Sequence, residues 1–317
     1  MTTTPEPDLS MPAQAVLVEP PDSSTPEAPT LQDPHKKRSQ FADIWRRFRR
    51  NKLAMGGMVV VAIMVVLAIL QPLISPFDPY DQNLLNTLQP PDADHWFGTD
   101  ILGRDLFSGM LYGLKLALIV GVSTMLGSMI IGTTLGAIAG YRGRFSDGLI
   151  MRTTDIFLAF PALIGAILIV RTFGSGVAPV AIALIVLGWP TAARLMRGQM
   201  LSLRESEYVE AARSIGASDT RIVMRHILPN AIQPVFIYSF TSIGVAVVAM
   251  ASLAYLGVGV PPDTPEWGRL INQGIEQVQV PGKDFLWMFP SGAICLTTLS
   301  FAFVADGLRD ALDPKLR

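Results

Sequence analysis

Six stretches of this chain are long and almost wholly apolar: residues 54–74, 113–139, 157–173, 178–196, 231–258 and 286–306. A helix advances ~1.5 Å per residue and the hydrocarbon layer of a bilayer is about 30 Å thick, so roughly twenty apolar residues make one crossing. The third stretch is the shortest. It is separated from the fourth only by Gly174, Ser175 and Gly176, so the two are expected to form a tight helical hairpin. Half of the residues are hydrophobic and 16% are charged, against about a quarter charged in soluble domains. The chain therefore reads as an all-α membrane protein with six transmembrane helices.

Orientation follows from the placement of Lys and Arg, which are retained on the cytoplasmic side. Residues 35–52 carry eight, the loop after the second stretch three, the end of the fourth stretch with the loop after it six (Arg194 included) and the C-terminus three. The opposite side carries four: Arg104, Arg171, Arg269 and Lys283. Twenty against four places both termini in the cytoplasm, with extracytoplasmic loops at 75–111 and 259–285. Residues 1–34 are rich in Pro, Ser, Thr and acidic residues and lack apolar periodicity, the composition of a disordered tail. Residues 35–53 form a basic juxtamembrane segment. Within it Phe41, Ile44, Trp45 and Phe48 share one helical face, as expected of a helix lying on anionic membrane lipid, although a plain positive-inside anchor explains the same residues. The first span covers 54–74, a five-helix core 112–306, and a short cytoplasmic C-terminus 307–317.

The interiors of the spans contain no Asp, Glu, Lys or Arg, which disfavours a proton- or ion-coupled carrier. Gly132, Gly136 and Gly140 form a small-residue ladder suited to close helix packing. Ser123, Ser128, Tyr238, Ser242 and Thr297 are candidate linings of a polar translocation path. Catalytic inventories fail: His35, His95 and His226 fall in separate segments, Cys295 is the single cysteine, and no metal-binding, nucleophile-elbow or phosphate-loop motif occurs. Near-zero net charge gives no reason to expect nucleic acid. No catalytic residue, metal or cofactor is assigned to this chain, so uphill transport needs energy from another one.

The longest cytoplasmic loop, 197–230, reads as structured. Ser202 and Glu205 have capping-box spacing, Gly216 suits the left-handed position after a short helix, and Ser218 can cap a second helix that ends near Pro229. Ala211 and Ala212 leave a helix face without bulk and Glu210 offers one charge, the properties of a docking knob. On the other side, Gly98 and Gly103 permit tight turns while Asp100, Arg104 and Asp105 can form a local charge network. The Pro-rich loop ending at Trp267 presents an aromatic suited to contact with a soluble protein.

The string Glu210-Ala211-Ala212, three residues, Gly216, nine residues, then His226-Ile227-Leu228-Pro229 resembles the EAA loop of ABC importer permeases. Further segments resemble the C-type permease of the dipeptide/oligopeptide importer family: RRNKLAM at 49–55, PFDPY at 76–80, HWFGTDILGRD at 95–105, PPDTPEWG at 261–268 and DGLRDALDP at 306–314. The resemblance covers nearly everything after residue 40. It implies a type I ABC importer permease fold with a cytoplasmic coupling helix, in which Glu210, Ala211, Ala212, Gly216, His226, Leu228 and Pro229 contact an ATPase. It also implies the partners: a homologous B-type permease, two ABC ATPase subunits that bind ATP and Mg, and an extracytoplasmic substrate-binding protein docking near Asp100, Arg104, Asp105 and Trp267. The implied substrate is a di- or oligopeptide. Nickel, glutathione or oligosaccharide importers use similar permeases, and a secondary carrier or channel would work without ATPase partners.

Overall fold

The computed structural model describes Gln40–Leu312. The 1–34 tail, residues 35–39 and the last part of the C-terminus, with Asp313 and Pro314 of the final motif, lie outside the described residues. Helices are the regular elements of the described residues, joined by irregular loops, with no strand beyond a single bridge between Thr99 and Asp105.

Helix α1 (Gln40–Arg50) leads into α2 (Lys52–Ile74) through Asn51, whose Oδ1 accepts from Ala54 N at 3.1 Å and whose Nδ2 donates to Asp310 at 3.0 Å. Phe48 of α1 is buried with Ala54, Val304 and Ala311, while Trp45 stays exposed. The expected lipid-facing stripe is thus divided, because Gly307 opens a seat for the Phe48 ring on the last helix. Helix α3 (Leu106–Arg142) is followed by α4 (Arg144–Ala159), α5 (Ala162–Phe173) and α6 (Val177–Leu203). Short helices α7 (Glu207–Ser214) and α8 (Asp219–Ile222) precede a π turn, Val223–Ile227. After it come α9 (Leu228–Tyr255), α10 (Trp267–Glu276) and α11 (Phe285–Leu312).

Five of these segments are long and apolar enough to cross a membrane: α2, α3, α6, the run Asp219–Tyr255 and α11. The sixth expected span is not one straight helix. Residues 157–159 belong to α4, the chain turns by 93° at Phe160 and Pro161, and α5 follows with only twelve residues. Proline disfavours helical backbone in the residue before it, and Phe160 is extended (φ −84°, ψ 133°). At ~1.5 Å per residue α5 reaches only about 18 Å, so a sixth crossing exists only if α4 and α5 are counted together as a bent pair. The expected hairpin between α5 and α6 is present. Its turn is tied down by a hydrogen bond from Gly176 N to Gly259 O at 2.8 Å.

Glycines set the closest approach in the bundle. A methyl group at Gly136 would lie 2.3 Å from Ala193 O and 2.7 Å from Met196 Cβ, so α3 and α6 are in backbone contact there. Besides the cluster around Phe48, three apolar clusters fill the bundle. One gathers Leu106, Met110, Trp267 and Leu286; a second holds Val120, Leu184, Met250 and Leu253. The third packs Met196 and Met200 beneath Val209, Ile222 and Ile227, and fixes the 197–230 loop to the bundle.

Candidate functional site

Helix α7 presents two faces. Val209 and Ala212 point into the layer formed by Met196, Met200, Ile222 and Ile227, while Glu210, Ala211, Arg213 and Ile215 are exposed. Ala212 is therefore part of the support beneath the knob rather than of a bare outer face, because its position three residues after Val209 puts both on one side of the helix. The helix stops in a Schellman arrangement: Gly216 N donates to Arg213 O at 2.9 Å and Ala217 N to Ala212 O at 3.1 Å. Gly216 has φ +80°, and nothing lies within 4 Å of the place a methyl would occupy. Backbone conformation, not space, is what demands glycine here.

Two expectations for this loop are corrected. Ser202 lies inside α6, and it is Ser206 that precedes α7; its hydroxyl donates back to Leu203 O at 2.5 Å and caps nothing. The second short helix is not a separate arm either. It runs from α8 through the π turn into α9 without a break, with Leu228 N donating to Val223 O. Pro229 supplies a reason: it has no N–H for the carbonyl of Arg225, and in a regular α-helix its ring would press on that carbonyl. A wider turn relieves both. Asn230 Nδ2 donates to His226 O at 2.7 Å across the same turn.

A groove of about 390 Å³ opens between α7 and the start of α8. It brings together Ala211, Ala212, Gly216 and His226 of the expected set, with Tyr208, Ile215, Ala217 and Arg221 added. Glu210 stands exposed on the adjoining face of α7. Leu228 instead lines a second, largely apolar cavity of about 480 Å³ with Tyr141, Asp219 and Met224, and Pro229 is exposed beyond it. Tyr141 donates to Asp219 Oδ1 at 2.6 Å, which ties α8 to the end of α3. Nearby, Arg197 pairs with Asp147 (Nη2 to Oδ2, 2.6 Å) and Arg194 with Asp155 (2.6 Å), linking α6 to α4. Sequence reasoning missed Tyr208 and Ile215; their spacing with Ala211 and Ala212, at positions i, i+3, i+4 and i+7, is the signal that one helix stripe holds all four.

At the opposite end, Asp100, Arg104 and Asp105 are buried. Arg104 Nε and Nη2 reach Asp100 Oδ2 at 2.7 and 2.6 Å, and its Nη1 donates to the carbonyl of Asp263 at 2.7 Å. Asp105 caps α3, accepting from Ser108 N and Oγ, both at 2.7 Å, while its other oxygen meets His95 Nδ1 at 2.9 Å. Trp267 is only 2% exposed and its indole donates to Met110 O at 3.1 Å. The exposed docking aromatic expected at this position is absent: the ring is a peg that fastens the start of α10 to α3. Glu266, not singled out by the sequence, is the buried cap of α10, accepting from Gly268 N at 2.8 Å and Arg269 N at 3.3 Å. Burial pushes its carboxyl up from 4.5 to about 7, against the pull of those amides.

The five candidate path residues are not brought onto one surface. Ser128 faces α6, 3.4 Å from Ile185 O, and Thr297 is fully buried against Met64 of α2. Both serve helix packing, since small hydroxyls on the ladder faces are enclosed where helices approach most closely. Ser123 and Ser242 are half-buried and donate to carbonyls of their own helices, Ile119 O at 2.5 Å and Ser239 O at 2.7 Å; Tyr238 is half-buried beside the cytoplasmic layer.

Residues 132–317 match the family described as binding-protein-dependent transport system inner membrane component, and residues 39–91 match the N-terminal TM domain of oligopeptide transport permease C. The chain is 39% identical over 292 residues to the dipeptide transport system permease protein of Alkalihalophilus pseudofirmus, covering 92% of this chain and 95% of that one. It is 39% identical to the oligopeptide transport system permease protein of Bacillus subtilis, covering 92% and 96%. It is 42% identical to the glutathione transport system permease protein of Escherichia coli O157:H7, covering 90% and 94%. Among solved structures, a chain of the inward-facing MetNI methionine ABC transporter superposes with a TM-score of 0.51 at 17% identity, covering 63% of this chain and 96% of that one. This likeness is one of fold, the type I importer permease arrangement.

Proposed function

Because this chain belongs to the family of binding-protein-dependent transport system inner membrane components, we infer that it is the transmembrane permease subunit of an ATP-driven importer of di- and oligopeptides. The observation that carries this reading beyond family membership is the α7 knob. The EAA-loop residues Ala211, Ala212 and Gly216 converge with His226 on one cytoplasmic groove, seated on the core through Val209 and Ala212. Both termini are cytoplasmic, the membrane is the prokaryotic plasma membrane, and the partners are a B-type permease, two ATPase subunits holding ATP and Mg, and an extracytoplasmic binding protein. The chain itself performs no catalysis.

In this reading an ATPase surface seats on the groove, with its basic side chains meeting Glu210. Closure of the ATPases on ATP displaces the knob. Because α8 continues through the π turn into α9, displacement of the knob is displacement of a membrane-crossing helix, and the bundle exchanges inward for outward opening. Glutathione is a second reading for the substrate, favoured by the 42% identity to glutathione permeases. It is itself peptide-like, and competition between radiolabelled dipeptide and glutathione in uptake assays separates the two.

The test of the coupling role is Glu210→Arg and Gly216→Pro in the assembled complex. Transport is expected to fall at least tenfold while ATP hydrolysis uncouples from uptake or stops. Undiminished coupled transport in both variants would sink the assignment of the loop.

A further inference from the structure

The loop between α2 and α3 carries an exposed apolar point in acidic surroundings. Leu84 is 69% and Leu85 94% exposed, while Asp78, Asp81, Asp92 and Asp94 of the same loop are also exposed. From residue 75 to residue 103 there is no Lys or Arg at all.

The turn that holds these leucines is fixed, so their exposure is not the slack of an unanchored segment. Asn83 Oδ1 accepts from Leu85 N at 3.2 Å, Asn83 O accepts from Asn86 N at 2.9 Å, and Thr99 Oγ1 donates to Asn86 O at 2.6 Å. Gly103 is pressed so close that a methyl there would fall 1.9 Å from Asn83 O. Leu88 is held at φ +55°, in the left-handed region that a branched apolar residue adopts only under constraint. Hydrogen bonds on both sides supply that constraint: its N–H donates to Asp100 O, and Lys283 Nζ donates to its carbonyl.

A rigid turn that leaves two leucines in water has the character of an interaction surface. The four carboxylates choose its partner. Anionic headgroups would repel them, and an interface within the membrane would have to desolvate them; a soluble protein with basic residues around an apolar recess would meet them favourably. Resting on the importer reading above, we propose that the turn at Leu84 and Leu85 is the contact point for one lobe of the extracytoplasmic binding protein, whose touching surface is an apolar depression rimmed by Lys and Arg. Trp267, buried as it is, does not serve that purpose.

The experiment uses the complete complex in nanodiscs with its binding protein, reading ATP hydrolysis as a function of binding-protein concentration at low and high salt. With Leu84→Ser/Leu85→Ser, the half-saturating concentration is expected to rise at least tenfold while basal hydrolysis is unchanged. With Asp81→Lys, it rises severalfold at low salt and converges on wild type at high salt. Unchanged half-saturation in both variants overturns the proposal, as does loss of the second permease subunit on purification, which would assign the leucines to permease pairing. A wild-type complex stimulated by no binding protein overturns the importer reading itself.

Discussion

Replacing Glu266 by Gln tests how the loop clamp is held. The carboxyl caps α10 from a buried position, and burial carries its pKa from 4.5 to about 7. With the folded value above the unfolded one, the folded protein keeps this proton in a range where the unfolded chain has lost it. The stability contributed by the neutral form is fully present below about pH 4.5 and is lost as pH rises through about 7. At 1.36 kcal/mol for each tenfold change in the ionisation constant, the interval corresponds to about 3 kcal/mol. Glutamine keeps an oxygen for Gly268 N and Arg269 N but cannot ionise. Hydrogen exchange at the amides of residues 267–270, corrected for the intrinsic pH dependence, reads the local opening. In the wild type the protection of these amides should fall by about a hundredfold between pH 4.5 and pH 7.5; in Glu266→Gln it should be flat. Equal slopes in the two proteins would refute the buried-cap account.

Arg104→Ala would leave Asp100 buried and without its cation and cut the link to Asp263 O; a loss of about 3–5 kcal/mol is expected from breaking a buried pair. Thermal unfolding of the purified protein measures it, with Arg104→Lys recovering only part of the loss because ammonium cannot span both contacts. Gly136→Ala forces α3 from α6 and is expected to cost about 1–3 kcal/mol. Gly148→Ala on α4, with nothing within 4 Å of the new methyl, should stabilise by up to about 1 kcal/mol through helix propensity. Opposite signs in a detergent-stability assay are the expected result, and a destabilised Gly148→Ala would count against the packing account.

Five of the six spans, the small-residue ladder and the left-handed Gly216 were legible in the chain because each depends on local composition or backbone preference. The bend at Pro161 was not, although its signal is present. Hydropathy averages over a window and is indifferent to direction, so residues 157–173 scored as a crossing while a single proline turned them. Trp267 was misread for a related reason. An aromatic after a Pro-rich stretch looks exposed until Met110 O, more than a hundred residues away, is seen to take its N–H. The knob was half legible: the spacing of Ala211, Ala212 and Gly216 marks it, but which alanine faces inward is decided by Met196 and Met200 on another helix.

The π turn of residues 223–227 has a geometric consequence. It holds one residue more than an α turn would, and that surplus sits where the docking knob becomes a membrane helix. Were the turn wound down to α, the extra residue would pass into the neighbouring helix, and everything on one side would rotate by about 100° and advance ~1.5 Å. A rigid rod could only tilt. A rod with one spare residue can also slip in phase, changing which side chains of α9 face the rest of the bundle while its length and hydrogen bonding are nearly preserved.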